Sequence, residues 1–328
     1  MSREDHSSGP QPLRKHPGPR SARRPALRRE MSADRLVQEG VARFEQGDLE
    51  GAIVAWRRAL EIDPGMPEAW FDVGNAWLRL RSFDAAIEAY RRAIAAGGDD
   101  FVCWFNLGNA YADAGDFDES VHCYRKAIGI APQSHQAWYN LGFVCAERGD
   151  QLAAAEAYRR ASELDPDDYQ VWYNLGNACL DLGRNPEAVA AFERALQRHD
   201  RDHEVWNNLG TALVQLERRR EAILAFRRAL ALEPAYHPSW NNLGGALEES
   251  GVHAEALEAY AKAVEIMPDR ATYRLNLASA LARSGDLDGA APHLSRALAL
   301  APEVRSLLPG FAEFVPLLDD PTFRPTDD

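Results

Sequence analysis

The sequence predicts an all-α repeat array, and three observations carry that expectation. Trp70, Trp104, Trp138, Trp172, Trp206 and Trp240 follow one another at intervals of 34 residues. Around each Trp one frame recurs: Trp104 is followed by Leu107, Gly108, Tyr111, Ser120, Tyr124, Ala127 and Pro132, and Trp172 by Leu175, Gly176, Cys179, Ala188, Phe192 and Ala195. Within each frame the large apolar residues fall on two helical stripes separated by a short break, which in several repeats is a Gly-Asp pair.

With the Trp placed at position 4 of each repeat, the residues at 4, 7 and 11 form the first stripe, and Gly at 8 allows a close backbone approach. This is helix A. After the break (Gly115-Asp116, Gly149-Asp150, Gly285-Asp286) a second stripe runs through positions 20, 24 and 27, and Pro at 32 stops it (Pro64, Pro132, Pro166, Pro234, Pro268, Pro302). This is helix B. In repeat five Asn185 is expected to cap that helix, with Pro186 as its first residue. Small residues at 20 and 27 let the two helices pack closely. A Trp has roughly 150–250 Å² to bury, more than one short helix pair covers, so each repeat must lean on its neighbour.

Taken in order, residues 1–32 stand apart: rich in Arg, Pro, Ser and Gly, with eight bases against three acids, they are expected to form a disordered basic tail. A start at Met31 is an alternative reading of that stretch. No apolar run follows Arg23-Arg24, so neither a signal peptide nor a membrane span is expected, and the chain is assigned to the cytoplasm. Repeats are expected at 33–66, 67–100, 101–134, 135–168, 169–202, 203–236, 237–270 and 271–304. The first has Leu36, Glu39 and Arg43 at positions 4, 7 and 11, as befits a cap, and the last has Arg274 for the Trp and Pro292 inside helix B. Gly97-Gly98 and Asp200 replace the terminating Pro in repeats two and five, which are expected to be the softest joints. Residues 305–328 carry Phe311, Phe314 and Leu317 among prolines and read as a C-terminal capping segment.

These motifs resemble the tetratricopeptide repeat (TPR) closely. The resemblance implies a right-handed superhelical solenoid of about eight helix-turn-helix TPR units. It also implies that the helix A face opposite the buried stripe, positions 2, 6, 9 and 13 with 5 on the flank, lines a concave groove.

Charge and chemistry narrow the function. The total of −13 becomes −18 without the basic tail, so the array is expected to repel nucleic acid and to favour neutral or basic partners. Only three of 37 bases are lysine, a coding bias that suggests a bacterial source. Arginine pairs on helix B follow acids such as Glu88 and Glu156 by one turn and read as solvated surface. Cys103, Cys123, Cys145 and Cys179 form no Cys-x-x-Cys and read as packing residues; His199 and His203 straddle a joint, and no metal site or cofactor is expected. No phosphate loop, nucleophile elbow or His-Glu-x-x-His is present, and no catalytic residue is assigned.

Binding is therefore the expected activity. Position 6 carries Asn106, Asn140, Asn174, Asn208, Asn242 and Asn276, preceded by Asp72; position 5 carries Phe71, Phe105, Tyr139 and Tyr173, then Asn207 and Asn241; position 9 adds Asn75, Asn109 and Asn177. Position 13 is mostly acidic. An Asn amide offers donors and an acceptor, so an exposed ladder of them can grip a peptide backbone. The ladder is similar to that of O-GlcNAc transferase arrays, which hold extended peptide. The other reading makes these amides structural, satisfied by helix contacts or water. The lysine-arginine clamp of heat-shock cochaperones has no counterpart, because position 5 never holds a base. The sequence thus points to a noncatalytic scaffold or adaptor that binds an extended, neutral-to-basic segment in the groove. The alternatives are a homo-oligomer formed through the C-terminal cap, or a substrate-recruiting subunit for a separate transferase.

Overall fold

The computed structural model of the chain describes residues 20–317 and residue 323. Sixteen α-helices and two 3-10 helices occur among them. The first unit, ending at Pro132, pairs α1 (Arg20–Glu45) with α2 (Leu49–Ile62), α3 (Pro67–Arg79) with α4 (Phe83–Ala95), and α5 (Phe101–Ala114) with α6 (Phe117–Ile130). The second, from Gln133, pairs α7 (His135–Glu147) with α8 (Gln151–Leu164), α9 (Tyr169–Asp181) with α10 (Asn185–Arg198), and α11 (His203–Gln215) with α12 (Arg219–Leu232). It continues with α13 (His237–Glu249) and α14 (His253–Ile266), then α15 (Ala271–Arg283) and α16 (Leu287–Leu300). Within each unit every helix packs on the next. In the second unit the A helices also touch one another, α7 to α9, α9 to α11, α11 to α13 and α13 to α15. Each unit is thus an all-α helical repeat solenoid.

The reversal between helices is set by position 15. Gly47, Gly115, Gly149, Gly183, Gly251 and Gly285 have φ between 69° and 92°, the left-handed region open to glycine. One residue on, Asp48, Asp116, Asp150 and Asp286 accept backbone N–H bonds from the first turn of helix B. This geometry corrects the expectation for repeat five. Asn185 already lies inside α10, Pro186 follows it in the first turn, and Arg184 takes the cap position because the turn at Gly183 starts the helix one residue earlier.

Two locks hold the pairs together. Glycine at 8 lies under the aromatic ring at 24: a Cβ on Gly74, Gly108, Gly142, Gly176, Gly210 or Gly244 would sit 2.5–2.8 Å from the ring of Tyr90, Tyr124, Tyr158, Phe192, Phe226 or Tyr260. The second lock joins repeats. The indole N–H of Trp70, Trp172, Trp206 and Trp240 donates to the carbonyl of Pro64, Pro166, Asp200 and Pro234 at 2.9–3.0 Å, always the residue at position 32 of the preceding repeat. The Asp200 joint, expected to be soft, makes the same bond as its neighbours. The Gly97-Gly98 joint does not: Trp104 donates to the Asp99 side chain instead.

The ends explain their irregular residues. Glu39 and Arg43 form an ion pair at 2.9 Å where interior repeats place apolar residues against a preceding repeat. Arg274, in place of a Trp, keeps the joint by donating its own Nε–H to Pro268 O. Beyond α16 the 3-10 helices Pro302–Gly310 and Ala312–Leu317 fold back, burying Leu308, Phe314 and Phe323 against Ala278, Leu294 and Leu298. The helix α1 begins at Arg20, inside the stretch expected to be an unstructured tail; the Arg, Ala and Leu of residues 20–32 are good helix formers that extend the first repeat helix backwards. The rest of that expectation, residues 1–19, lies outside the described residues.

The surface arginines divide. Arg92 pairs with Glu88 one turn back, as expected, whereas Arg159 and Arg227 reach forward to Glu187 and Glu255 of the next repeat. No described helix is long and apolar enough to cross a membrane.

Candidate functional site

Helix A presents position 6 on the side away from helix B, and the ladder residues Asn106, Asn140, Asn174, Asn208, Asn242 and Asn276 are half-buried there, not exposed as expected. Their partners explain the burial. Asn174 Nδ2 donates to Tyr139 OH at 3.2 Å, Asn242 Nδ2 to Asn207 Oδ1 at 3.2 Å, and Asn276 Nδ2 to Asn241 Oδ1 at 2.8 Å, each 35 residues back along the chain. Position 6 therefore donates to position 5 of the preceding repeat. Asn208 varies the theme by donating to Asn177 Oδ1 at 2.9 Å, and Asn106 caps back onto Val102 O in its own helix.

Asn207 is the hub of this chain of amides. It is only 6% exposed. Its Oδ1 accepts from Ser239 Oγ as well as from Asn242, and its own Nδ2 donates to Asn208. A buried amide so paired costs nothing in unsatisfied polarity, and no buried side-chain N or O among the described residues lacks a partner.

The remaining predicted residues turn inward too. Phe71, Phe105, Tyr139 and Tyr173 rest on the position 24 rings of Tyr90, Tyr124, Tyr158 and Phe192, with centroids 5.6–6.4 Å apart. At position 9 Asn75 Oδ1 accepts from Tyr90 OH at 2.8 Å and Asn109 Oδ1 from Tyr124 OH at 2.6 Å. The predicted residues do converge on one face in each unit, but much of their bonding capacity joins helix to helix.

What that face still offers is acceptors. The Oδ1 atoms of Asn174, Asn242 and Asn276 accept from no protein group among the described residues. Glu249, at position 13, lines one cavity with Asn242 and Asn276, while the bases of that position are occupied: Arg79 stacks over Phe44, and Arg283 pairs with Glu248. In the first unit Asp72 holds position 6, and burial, with Glu68 adding to it, pushes its carboxyl up to about 6. Phe143, 45% exposed, stands at position 9 of the second unit as an apolar contact the ladder pattern did not single out.

Catalytic chemistry finds no support in the thiols. All four cysteines are buried, and burial pushes Cys103 and Cys123 up to about 12. No group of three or more His, Cys, Asp or Glu among the described residues is placed to hold a metal ion.

Residues 95–306 match the family model described as the Cilia and flagella-associated protein 70 C-terminal domain, and residues 37–101 match a tetratricopeptide repeat model. No curated protein matches the chain. Among solved structures it is similar to the C-terminal part of a TPR repeat-containing protein from Cytophaga hutchinsonii, at 18% identity and a TM-score of 0.60 over 73% of this chain and 98% of that one. It is also similar to YrrB, described as a TPR protein with an unusual peptide-binding site, at 22% identity and a TM-score of 0.53 over 57% of this chain and 97% of that one. Both likenesses are of fold. With the helix pairs recurring at the tetratricopeptide period and one family model spanning more than half of its length, the chain belongs to the tetratricopeptide-repeat family that includes the C-terminal domain of Cilia and flagella-associated protein 70.

Proposed function

We propose that this protein is a noncatalytic interaction scaffold that holds an extended, neutral-to-basic segment of a partner protein along its A-helix face. The observation that carries the reading is the row of amides in the second unit, Asn174, Asn208, Asn242 and Asn276. Their N–H groups are tied to the preceding repeat, and three of their carbonyl oxygens have no protein donor among the described residues. A row of acceptors bordered by acids suits a donor-rich strand: backbone N–H groups every second residue and basic side chains between them. That YrrB is described as peptide-binding agrees with a use of this fold for peptides. Self-assembly through the C-terminal segment has less support, because Phe314 is fully buried against its own last repeat. A cytoplasmic setting, as the sequence led us to expect, belongs to this reading.

The test is capture of the partner from native cells followed by calorimetric titration of its bound segment against Asn174→Ala/Asn242→Ala/Asn276→Ala. Each lost amide forfeits roughly 0.5–1.5 kcal/mol of net bonding, so affinity is expected to fall about tenfold to a thousandfold. The melting temperature is expected to fall as well, since each amide also joins two repeats. A lower melting temperature with unchanged affinity, measured where both proteins are folded, overturns the reading and leaves the amides purely structural.

A further inference from the structure

Repeat seven breaks the position 9 pattern in a way that leaves a hole. In repeats two and three the Tyr at position 24 donates to an Asn at position 9, Tyr90 to Asn75 and Tyr124 to Asn109. Repeat seven keeps the tyrosine, Tyr260, but carries Gly245 where the amide stood. Tyr260 OH turns to Glu248 Oε2 at 3.1 Å. On the A-helix face at Gly245 lies a cavity of about 220 Å³, lined by Phe226, Tyr260, Gln215, Asn242, Asn276 and Glu249 among others.

This glycine serves neither a turn nor a tight packing contact. A Cβ on Gly245 would meet only Tyr260 Oη, at an ordinary 3.6 Å, whereas one on the adjacent Gly244 would lie 2.7 Å from the Tyr260 ring. The backbone therefore permits a side chain at 245, and the space is what the glycine provides.

The lining has a definite chemistry. Phe226 and Tyr260 contribute aromatic surface that suits an aliphatic stem. Asn242 and Asn276 line it as well, and their Oδ1 atoms accept from no protein group among the described residues. Glu249 adds a carboxylate, held at 3.1 Å by Arg219 in an exposed and therefore weak pair. Acceptors above aromatic surface match a side chain with an apolar stem and a cationic, donor-rich head.

We propose that this cavity is an anchor pocket for an arginine or lysine side chain of the bound segment. The proposal rests on the A-helix face being the binding face, and it adds that one basic residue sets the register of the segment on repeat seven.

The test is a nuclear magnetic resonance titration of the full-length, isotope-labelled protein with N-acetyl-arginine methylamide, its lysine counterpart and its norleucine counterpart. The arginine and lysine compounds are expected to give saturable shifts at Asn242, Gly245, Ala246 and Asn276, and norleucine is expected to give none. Gly245→Asn refills the hole with the amide that repeats two and three already pair with tyrosine, so its melting temperature is expected to hold or rise while the shifts weaken at least tenfold. The proposal is overturned if no saturable shift appears at these signals, if norleucine matches arginine, or if Gly245→Asn binds as tightly as the parent. A parallel titration with a fifteen-residue peptide of alternating Ala and Ser separates the two readings. If that peptide moves the Asn174 and Asn208 signals and arginine leaves Gly245 unmoved, the pocket alone fails. If arginine binds at Gly245 and the peptide binds nowhere on the face, the pocket stands and the extended-segment reading fails.

Discussion

Asp72 shows how one residue in the ladder changes the balance. At the position where later repeats carry an amide, it is a half-buried carboxylate whose pKa is raised to about 6, first by burial and then by Glu68. The folded form holds its proton up to about 6, and the unfolded form only to its ordinary 3.8, so ionisation in the fold costs stability above that window. The cost is relieved as pH falls from about 6 towards 4. Asp72→Asn is therefore expected to raise the melting temperature at neutral pH, with the gap over the parent closing as pH falls through that window; thermal melts across the range check both the sign and the window. Arg81 and Glu217 make a second case at this scale, because they hold φ of 57° and 58° where other repeats have glycine. Glu217→Gly removes that strain at the expense of a looser unfolded chain and is expected to stabilise by about 0.5–1 kcal/mol in denaturant titrations, less whatever the weak contact with Arg219 contributes. The row of asparagines was legible in the sequence as a row. Its bonding was not, because Asn242 and Asn276 bond 35 residues away and only the stacking of repeats brings those partners together.

At the scale of the helix pair, fit is decided between positions 8 and 24. Gly176 lies under Phe192, and a Cβ there would come within 2.5 Å of the ring, so Gly176→Ala is expected to destabilise by about 1–3 kcal/mol through overpacking. The last repeat supplies the remedy: it pairs Ala278 with Leu294, both fully buried. Adding Phe192→Leu to Gly176→Ala should return part of the loss, so that the double variant is more stable than the two single changes sum to. Equal additivity in denaturant melts would show that the two positions are not coupled. Helix pairs were readable from the 34-residue frame because the helix B stripe recurs in every repeat and the helix A stripe in repeats two to seven. The start of α10 was misplaced by one residue because Asn185 and Pro186 are strong local signals, while the turn at Gly183 is what fixes the first turn of the helix. Arg274 taught the opposite lesson: it breaks the Trp pattern yet makes the same joint to a proline carbonyl, since the joint needs an N–H donor more than it needs an indole.

At the scale of the whole molecule, stability is shared between neighbours. Removing one interior repeat, residues 169–202, leaves every remaining helix with a helix to pack on, so the shortened protein is expected to stay helical and to melt earlier. Loss of helicity on circular dichroism would contradict the repeat architecture. The first repeat carries the partly exposed ion pair of Glu39 with Arg43 where interior repeats are apolar, and the last buries Phe314 and Phe323. In the second unit α7, α9, α11, α13 and α15 touch in turn, and theirs is the face along which the proposed segment would lie. Neighbouring helices pack roughly 8–10 Å apart and an extended strand rises about 3.3 Å per residue, so one repeat corresponds to about three residues of bound segment. The most direct measurement of the central claim is the calorimetric affinity of the captured partner segment shortened one residue at a time. A segment lying extended along the ladder should lose affinity in successive steps about three residues apart, and loss of all affinity at a single short epitope, with the flanking residues indifferent, would contradict it.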